Sequence, residues 1–173
     1  MEAASKEELR LACNRILRAA GCDEDVIRHC NAVADLALEF AHRHSESVDE
    51  PLIFKGALLH DLGRARSHGI DHGVVGGAMA RALGLDETIV RIIERHIGAG
   101  LTAAEAEMVG LPPRDLLPET LEEKIVAHAD NLIAGWKRRS IDVAIADFKT
   151  ALGESHPSIK RMLALHKEVV IES

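Results

Sequence analysis

The chain has 173 residues, the size of one ordinary domain, with 47% hydrophobic and 28% charged residues and a formal net charge of -7. That balance excludes a disordered chain, and the negative charge argues against a general nucleic-acid binder, which needs a basic face to displace counterions. No apolar run reaches the roughly 18 residues of a membrane span, and Met1-Glu2-Ala3-Ala4-Ser5 lacks a basic-then-apolar signal pattern, so a cytoplasmic protein is expected.

Aromatic residues are scarce, with three Phe, one Trp and no Tyr, so the core must be built from Ala, Leu, Ile and Val. Such content favours helices over sheets. Ser5-x-x-Glu8 reads as a capping box, followed by a stripe of Leu9, Ala12, Cys13, Ile16, Leu17 and Ala20 that Gly21 closes. A second helix over about 25–44 turns Val26, Cys30, Val33, Ala37 and Phe40 inward. Asp49 and Pro51 open a third, with Ile53, Ala57 and Leu58 inward, which stops near Gly63. A Gly/His-rich turn from Ser67 to Gly73 leads into a helix over 74–83, closed by Gly84. Asp86 caps the next, with Ile89, Ile92, Ile93 and Ile97 inward and Gly98 at its end.

Thr102-x-x-Glu105 and Thr120-x-x-Glu123 are two further capping boxes. Leu111-Pro112-Pro113 breaks the first of their helices, and the second runs to about Trp136. Ser140 and Pro157 precede the last two helical patterns, and no alternating strand is evident. The expectation is an all-α, single-domain bundle of about eight helices over 1–173. Cys13, Cys22 and Cys30 are odd in number and form no Cys-x-x-Cys pair, so they read as buried free thiols.

Ten histidines are the compositional anomaly. His166 shares a stripe with Ile159, Met162, Leu163 and Val170 and reads as structural, while His42, His44 and His156 read as surface residues. His29 lies on the stripe of Val33, Leu36 and Phe40. His60 and Asp61 follow the apolar run Ala57-Leu58-Leu59, where an ionised carboxylate is costly unless paired or metal-bound. Asp130 repeats the anomaly among Val126, Ala129 and Ile133. Either Asp alone also reads as half of a buried salt bridge or as a cap, although neither stands at a helix start. His72 shares a stripe with Val75, Met79 and Leu83, and His96 follows Ile89, Ile92 and Ile93. His29, His60, His72 and His96 are thus candidates to converge on Asp61 and Asp130. Mixed imidazole and carboxylate ligands suit first-row divalent ions, and two ions sharing a carboxylate about 3.5–4 Å apart can clamp a phosphoryl group. His128, on a stripe with Leu121, Ile125 and Leu132, is open to an acid–base, ligand-orienting or structural role.

The order His29, His60-Asp61, Asp130 resembles the H…HD…D signature of the HD superfamily of metal-dependent phosphohydrolases. Gly56-Ala57-Leu58-Leu59-His60-Asp61-Leu62-Gly63-Arg64 is similar to the HDIG subgroup, with Leu62 in place of the usual Ile. The blocks starting at His72-Gly73-Val74 and at Ala127-His128-Ala129-Asp130 match its later motifs, so the resembling core spans about 26–137. The resemblance implies an all-helical fold with His29, His60, Asp61 and Asp130 as ligands of a first metal. It implies His72 and His96 as ligands of a second, with Asp61 bridging, and His68 as a rival to His72. No Gly-Tyr-Pro block is present, which sets the chain apart from cyclic-di-GMP phosphodiesterases.

The expected cofactor is one or two divalent ions among Mn, Fe, Ni, Co, Zn and Mg. The expected reaction is hydrolysis of a phosphoester or phosphoanhydride in a small phosphorylated compound, a nucleotide being the family's commonest choice. Asp61, His72, His96 and Arg64 would carry it, Arg64 as a bidentate phosphate clamp just after the H-D-x-G turn. Lys55 and Arg66 are weaker clamp candidates. The turn 67–73 and the segment 98–118 are expected pocket walls. A di-iron oxygenase and a metal-stabilised binding module without turnover are the alternatives. Ala- and Gly-rich helices are compatible with a homodimer.

Overall fold

Helical periodicity is realised as nine α-helices and one minimal hairpin among residues 3–44 and 46–170, the part of the chain described by the computed structural model. Helix α1 spans Ala3–Ala20, α2 Glu24–Arg43 and α3 Glu50–Leu59. A 3-10 turn, Leu62–Ala65, links α3 to α4, His72–Ala82, and α5 follows at Glu87–Arg95. Short α6, Ala103–Met108, precedes α7, Leu121–Asn131. After strands β1, Ile133–Ala134, and β2, Lys137–Arg138, come α8, Ile141–Leu152, and α9, Pro157–Val169.

Several starts follow the capping logic of the sequence. The side chains of Asp23, Asp49, Thr102, Thr120 and Ser140 accept backbone N–H groups at the heads of α2, α3, α6, α7 and α8. Thr102 and Glu105 form a reciprocal capping box. Glu123 does not close its own, because its carboxylate is taken by Arg91 and Arg95 of α5 and by the Glu119 amide. Two starts differ from expectation. Helix α1 already runs at Ala3, so Ser5 lies inside it and caps nothing. Asp86 stands before α5 but its side chain makes no capping bond.

Helix α2 lies against α3 and α7, α3 against α5, and α4 against α5 and the 3-10 turn. Helix α1 covers α3, and α9 covers α7. Ile53, Phe54, Leu58 and Leu59 of α3, Ile92 and Ile93 of α5 and Ile125 of α7 are fully buried at the centre. Cys13, Cys22 and Cys30 are free and buried, and burial pushes the thiols of Cys13 and Cys22 up to about 11.

The inward face of α4 is not the expected stripe. Val75 and Met79 are only partly buried and Leu83 is exposed. The buried face is His72, Gly73, Gly76, Gly77 and Ala80. Its glycines let α4 approach α5 so closely that a methyl group on Gly76 would lie 2.8 Å from Ile93 Cγ2. On α9, Leu163 is likewise exposed and Leu165 takes the inward place.

Helix α7 stops at Asn131, short of the expected Trp136. The chain reverses instead in an antiparallel pair, Ile133 opposite Arg138 and Ala134 opposite Lys137. Gly135 supplies the φ of +60° the reversal needs. Trp136 is half exposed, with the Arg28 guanidinium 4.2 Å from its ring centroid.

His128 is fully buried, its Nε2 lies 3.0 Å from His166 Nδ1, and its ring packs on Phe40. Burial holds its imidazole down to about 3, so it stays neutral in the folded chain. Unfolded, it titrates at its ordinary 6.5. Between those values the unfolded chain binds the extra proton, so this group costs stability as pH falls below 6.5. His128→Leu should flatten the stability curve between about pH 6 and 4, removing up to about 1.4 kcal/mol per pH unit. Urea denaturation of both proteins across that range measures the difference, and parallel curves would contradict it.

Candidate metal centre

Five helical segments each deliver part of one cluster. Helix α2 brings His29, the end of α3 brings His60 and Asp61, α4 opens on His72, α5 ends at His96, and the last turn of α7 carries Asp130. His60, Asp61, His72 and His96 are buried, while His29 and Asp130 are partly exposed. Three overlapping groups have ligand atoms mutually within 4.8 Å: His29, His60 and Asp61; His60, His96 and Asp130; and Asp61, His72 and His96.

The tautomers are set by the backbone. Every one of the four imidazoles has its Nδ1 at 2.7 Å from a carbonyl oxygen: Gly135 for His29, Ala57 for His60, Gly69 for His72 and Ile93 for His96. A carbonyl only accepts, so each Nδ1 carries a proton and donates it. In a neutral ring Nε2 is then a bare lone pair. These lone pairs face one another, His72 Nε2 at 3.0 Å from His96 Nε2 and His29 Nε2 at 3.3 Å from His60 Nε2. Burial disfavours a charged ring, yet the neighbouring Cys30, Asp61 and Asp130 raise His60 well above the ordinary imidazole value, so a proton on its Nε2 relieves the repulsion in the metal-free chain. A divalent cation between the rings would take that proton's place. The donor set therefore fits a divalent metal.

Asp61 stands between the two imidazole pairs. Its Oδ2 is 3.8 Å from both His29 Nε2 and His60 Nε2, and its Oδ1 is 3.2 Å from His72 Nε2 and 3.6 Å from His96 Nε2. Asp130 Oδ1 lies 2.9 Å from His29 Nε2 and 3.4 Å from His60 Nε2. Burial opposes ionisation of both carboxyls. The imidazoles around them outweigh it, so both are held below the usual carboxylate range and are ionised. Burial pushes His96 down to about 3, leaving it neutral and free to ligate. Elsewhere, buried carboxylates are matched by arginines: Glu94 is clasped by Arg81 and Arg114. Asp130 has imidazole neighbours in place of any such guanidinium, which sets it apart from a structural ion pair.

Gly63 makes the geometry possible. A methyl group there would lie 1.9 Å from the carbonyl oxygen of His72 and 2.7 Å from the amide of Gly76. The turn after His60-Asp61 thus presses backbone to backbone onto the head of α4, which brings His72 to Asp61. His68 is exposed in the preceding turn and contributes only its carbonyl, to Arg64 Nη1 at 2.9 Å. The structure brings His72, not His68, into the cluster.

The cluster opens into a cleft of about 210 Å³ whose walls include Arg64, Ile97, Gly98, Ile133, Arg139 and Phe148. Arg64 Nε donates to Asp61 Oδ1 at 3.2 Å, which seats its guanidinium at the mouth. Neither Lys55 nor Arg66 is among the cleft-lining residues. Arg139 and Phe148 do line it and were missed, because the hairpin that turns α8 towards the mouth has no period of its own. Gly135 was missed too: its carbonyl fixes the His29 tautomer. Asn-free Gly-Trp offers only one turn signal, the glycine itself. His128 makes its contacts with His166 and Phe40 and joins none of the three ligand groups.

Comparison with known proteins places the chain. The HD domain family model matches residues 26–135, and the chain belongs to the HD domain family. An uncharacterized protein of Methanocaldococcus jannaschii is 55% identical over 151 residues, covering 86% of this chain and 89% of that protein. The tRNA (cytidine(56)-2'-O)-methyltransferase of Picrophilus torridus is 41% identical over 91% of this chain, which spans only 45% of that protein. Among solved structures, the HD domain of the Listeria monocytogenes phosphodiesterase PgpH shares the fold, with a TM-score of 0.54 and 15% identity over 88% of this chain and 94% of that one.

Gly63→Ala tests the local geometry. The added methyl meets backbone on two sides, so the substitution should cost more than about 3 kcal/mol in urea denaturation. A loss under about 1 kcal/mol would show that the turn has room to yield.

Proposed function

We propose that the chain is a metal-dependent phosphohydrolase that cleaves a phosphoester or phosphoanhydride in a nucleotide or other small phosphorylated compound. The observation that carries this reading is the set of four imidazole Nε2 atoms converging on two ionised carboxylates. His29, His60, Asp61 and Asp130 would hold one divalent ion, and His72 and His96 a second, with one oxygen of Asp61 turned to each side. Divalent ions in such sites lower the pKa of a bound water towards neutrality and polarise phosphoryl oxygens.

The chain's own groups supply the rest. Arg64 places a permanent positive charge at the mouth, pinned by Asp61 and the His68 carbonyl, where a phosphoryl oxygen can meet it. The Arg139 guanidinium faces the same cleft, and its Nε is held by the Asn131 carbonyl at 3.0 Å. Apart from the cluster itself, the titratable cleft-lining residues are these two guanidiniums. We assign the methyl transfer named for the Picrophilus protein to the part of it that this chain does not span.

Metal analysis of the purified protein should find about two ions per chain after loading with Mn, Co or Ni. His96→Ala should lower this to about one. Asp61→Ala should remove bound metal and phosphate release together, by more than the 10- to about 100-fold typical of residues that only orient a ligand. Full metal occupancy and turnover in Asp61→Ala would overturn the assignment. Iron-bound protein with oxygen-dependent turnover would point to an oxygenase, and metal binding with no turnover over a broad panel to a binding module.

A further inference from the structure

The cleft does not end at the metal-ligating cluster. Ile97, Gly98 and Phe148 also form one wall of a second, larger groove of about 290 Å³. It continues outward over Leu101, Met108, Val109, Ala151 and Leu152. Its rim is unusually apolar for exposed surface: Met108 is 85% exposed, Val109 47% and Leu152 44%.

Most of the polar groups along this groove are already committed. Glu105 takes Arg161 at 2.8 Å and the Thr102 amide at 2.8 Å, and Asp147 takes Arg139 at 2.6 Å. His156 Nδ1 accepts the Ser158 amide. The Gly98 carbonyl holds Asn131 at 2.7 Å, and Leu101 is paired with Leu116 through both its amide and its carbonyl. Little remains to satisfy sugar hydroxyls, and burying them unpaired is costly. The carboxylates of Glu105 and Asp147 stand against a second phosphate.

We infer that this groove holds the organic part of the substrate, and that this part is an uncharged apolar group, alkyl or aryl, rather than a sugar or a second phosphate. The phosphoryl group sits at the cluster, and the chain of atoms beyond it crosses Gly98 between Ile97 and Phe148. This rests on the phosphohydrolase reading above and narrows its substrate class.

Binding of n-alkylphosphonates to the Mn-loaded protein, measured by calorimetry, tests it without turnover. Affinity should rise at least about tenfold from methylphosphonate to n-hexylphosphonate, since each buried methylene adds favourable transfer energy. Ala151→Trp fills the groove and should bring the hexyl-to-methyl ratio close to one. Leu152→Glu, on the exposed rim where folding is not at stake, should lower the same ratio. A flat series with methylphosphonate still bound would overturn the inference and leave the hydrolase reading standing. Failure of methylphosphonate to bind would overturn the hydrolase reading and this inference with it. Sedimentation showing a wild-type dimer that Leu152→Glu dissociates would assign the groove to a second copy of the chain and overturn the proposal.

Discussion

Four histidine side chains with their Nδ1 protons tied to carbonyl oxygens cannot also be protonated at Nε2 while neutral, and their Nε2 atoms meet at 3.0–3.3 Å. That repulsion is the constraint on which the rest of the structure turns. A positive charge between the rings relieves it, a proton on His60 in the metal-free chain or a metal ion in its place, and the ionised Asp61 and Asp130 favour either. Burial then acts in the same direction. A wet surface cluster would solvate its lone pairs, whereas His60, His72 and His96 have almost no access to water.

The fold reads as a device for meeting that constraint. Glycines on α4 and in the 3-10 turn before it remove side chains where the chain must pass closely, so that His72 and His96 approach Asp61 from neighbouring helices. The hairpin after α7 places one carbonyl on His29 and turns α8 back over the mouth. Arginines neutralise the buried carboxylates that lie outside the cluster, Glu94 and Glu123, so that unpaired lone pairs are concentrated at one place. Membership of the HD domain family agrees with this division between a helical frame and a central ligand set.

Much of this was legible before the structure. An aspartate behind Ala57-Leu58-Leu59 and another between Val126 and Ile133 violate helical patterning in a way that calls for a partner, and the histidines at matching inward positions supply one. His72 was placed inward on the wrong stripe. Its true neighbours are glycines, which carry no hydropathy signal and mark close approach only once the facing helix is known. Gly135, Arg139 and Phe148 were not legible as site residues. A two-residue strand is too short to show alternation, and the direction of the chain after it decides what reaches the mouth. The sequence pattern also cannot show that two cavities share a wall at Gly98.

The most direct measurement is long-range 15N–1H NMR of the histidine rings in zinc-loaded protein. The account predicts the Nδ1-H tautomer for His29, His60, His72 and His96, with each Nε2 resonance moved by the metal. A ring among these four that keeps a proton on Nε2 when zinc is bound would contradict it.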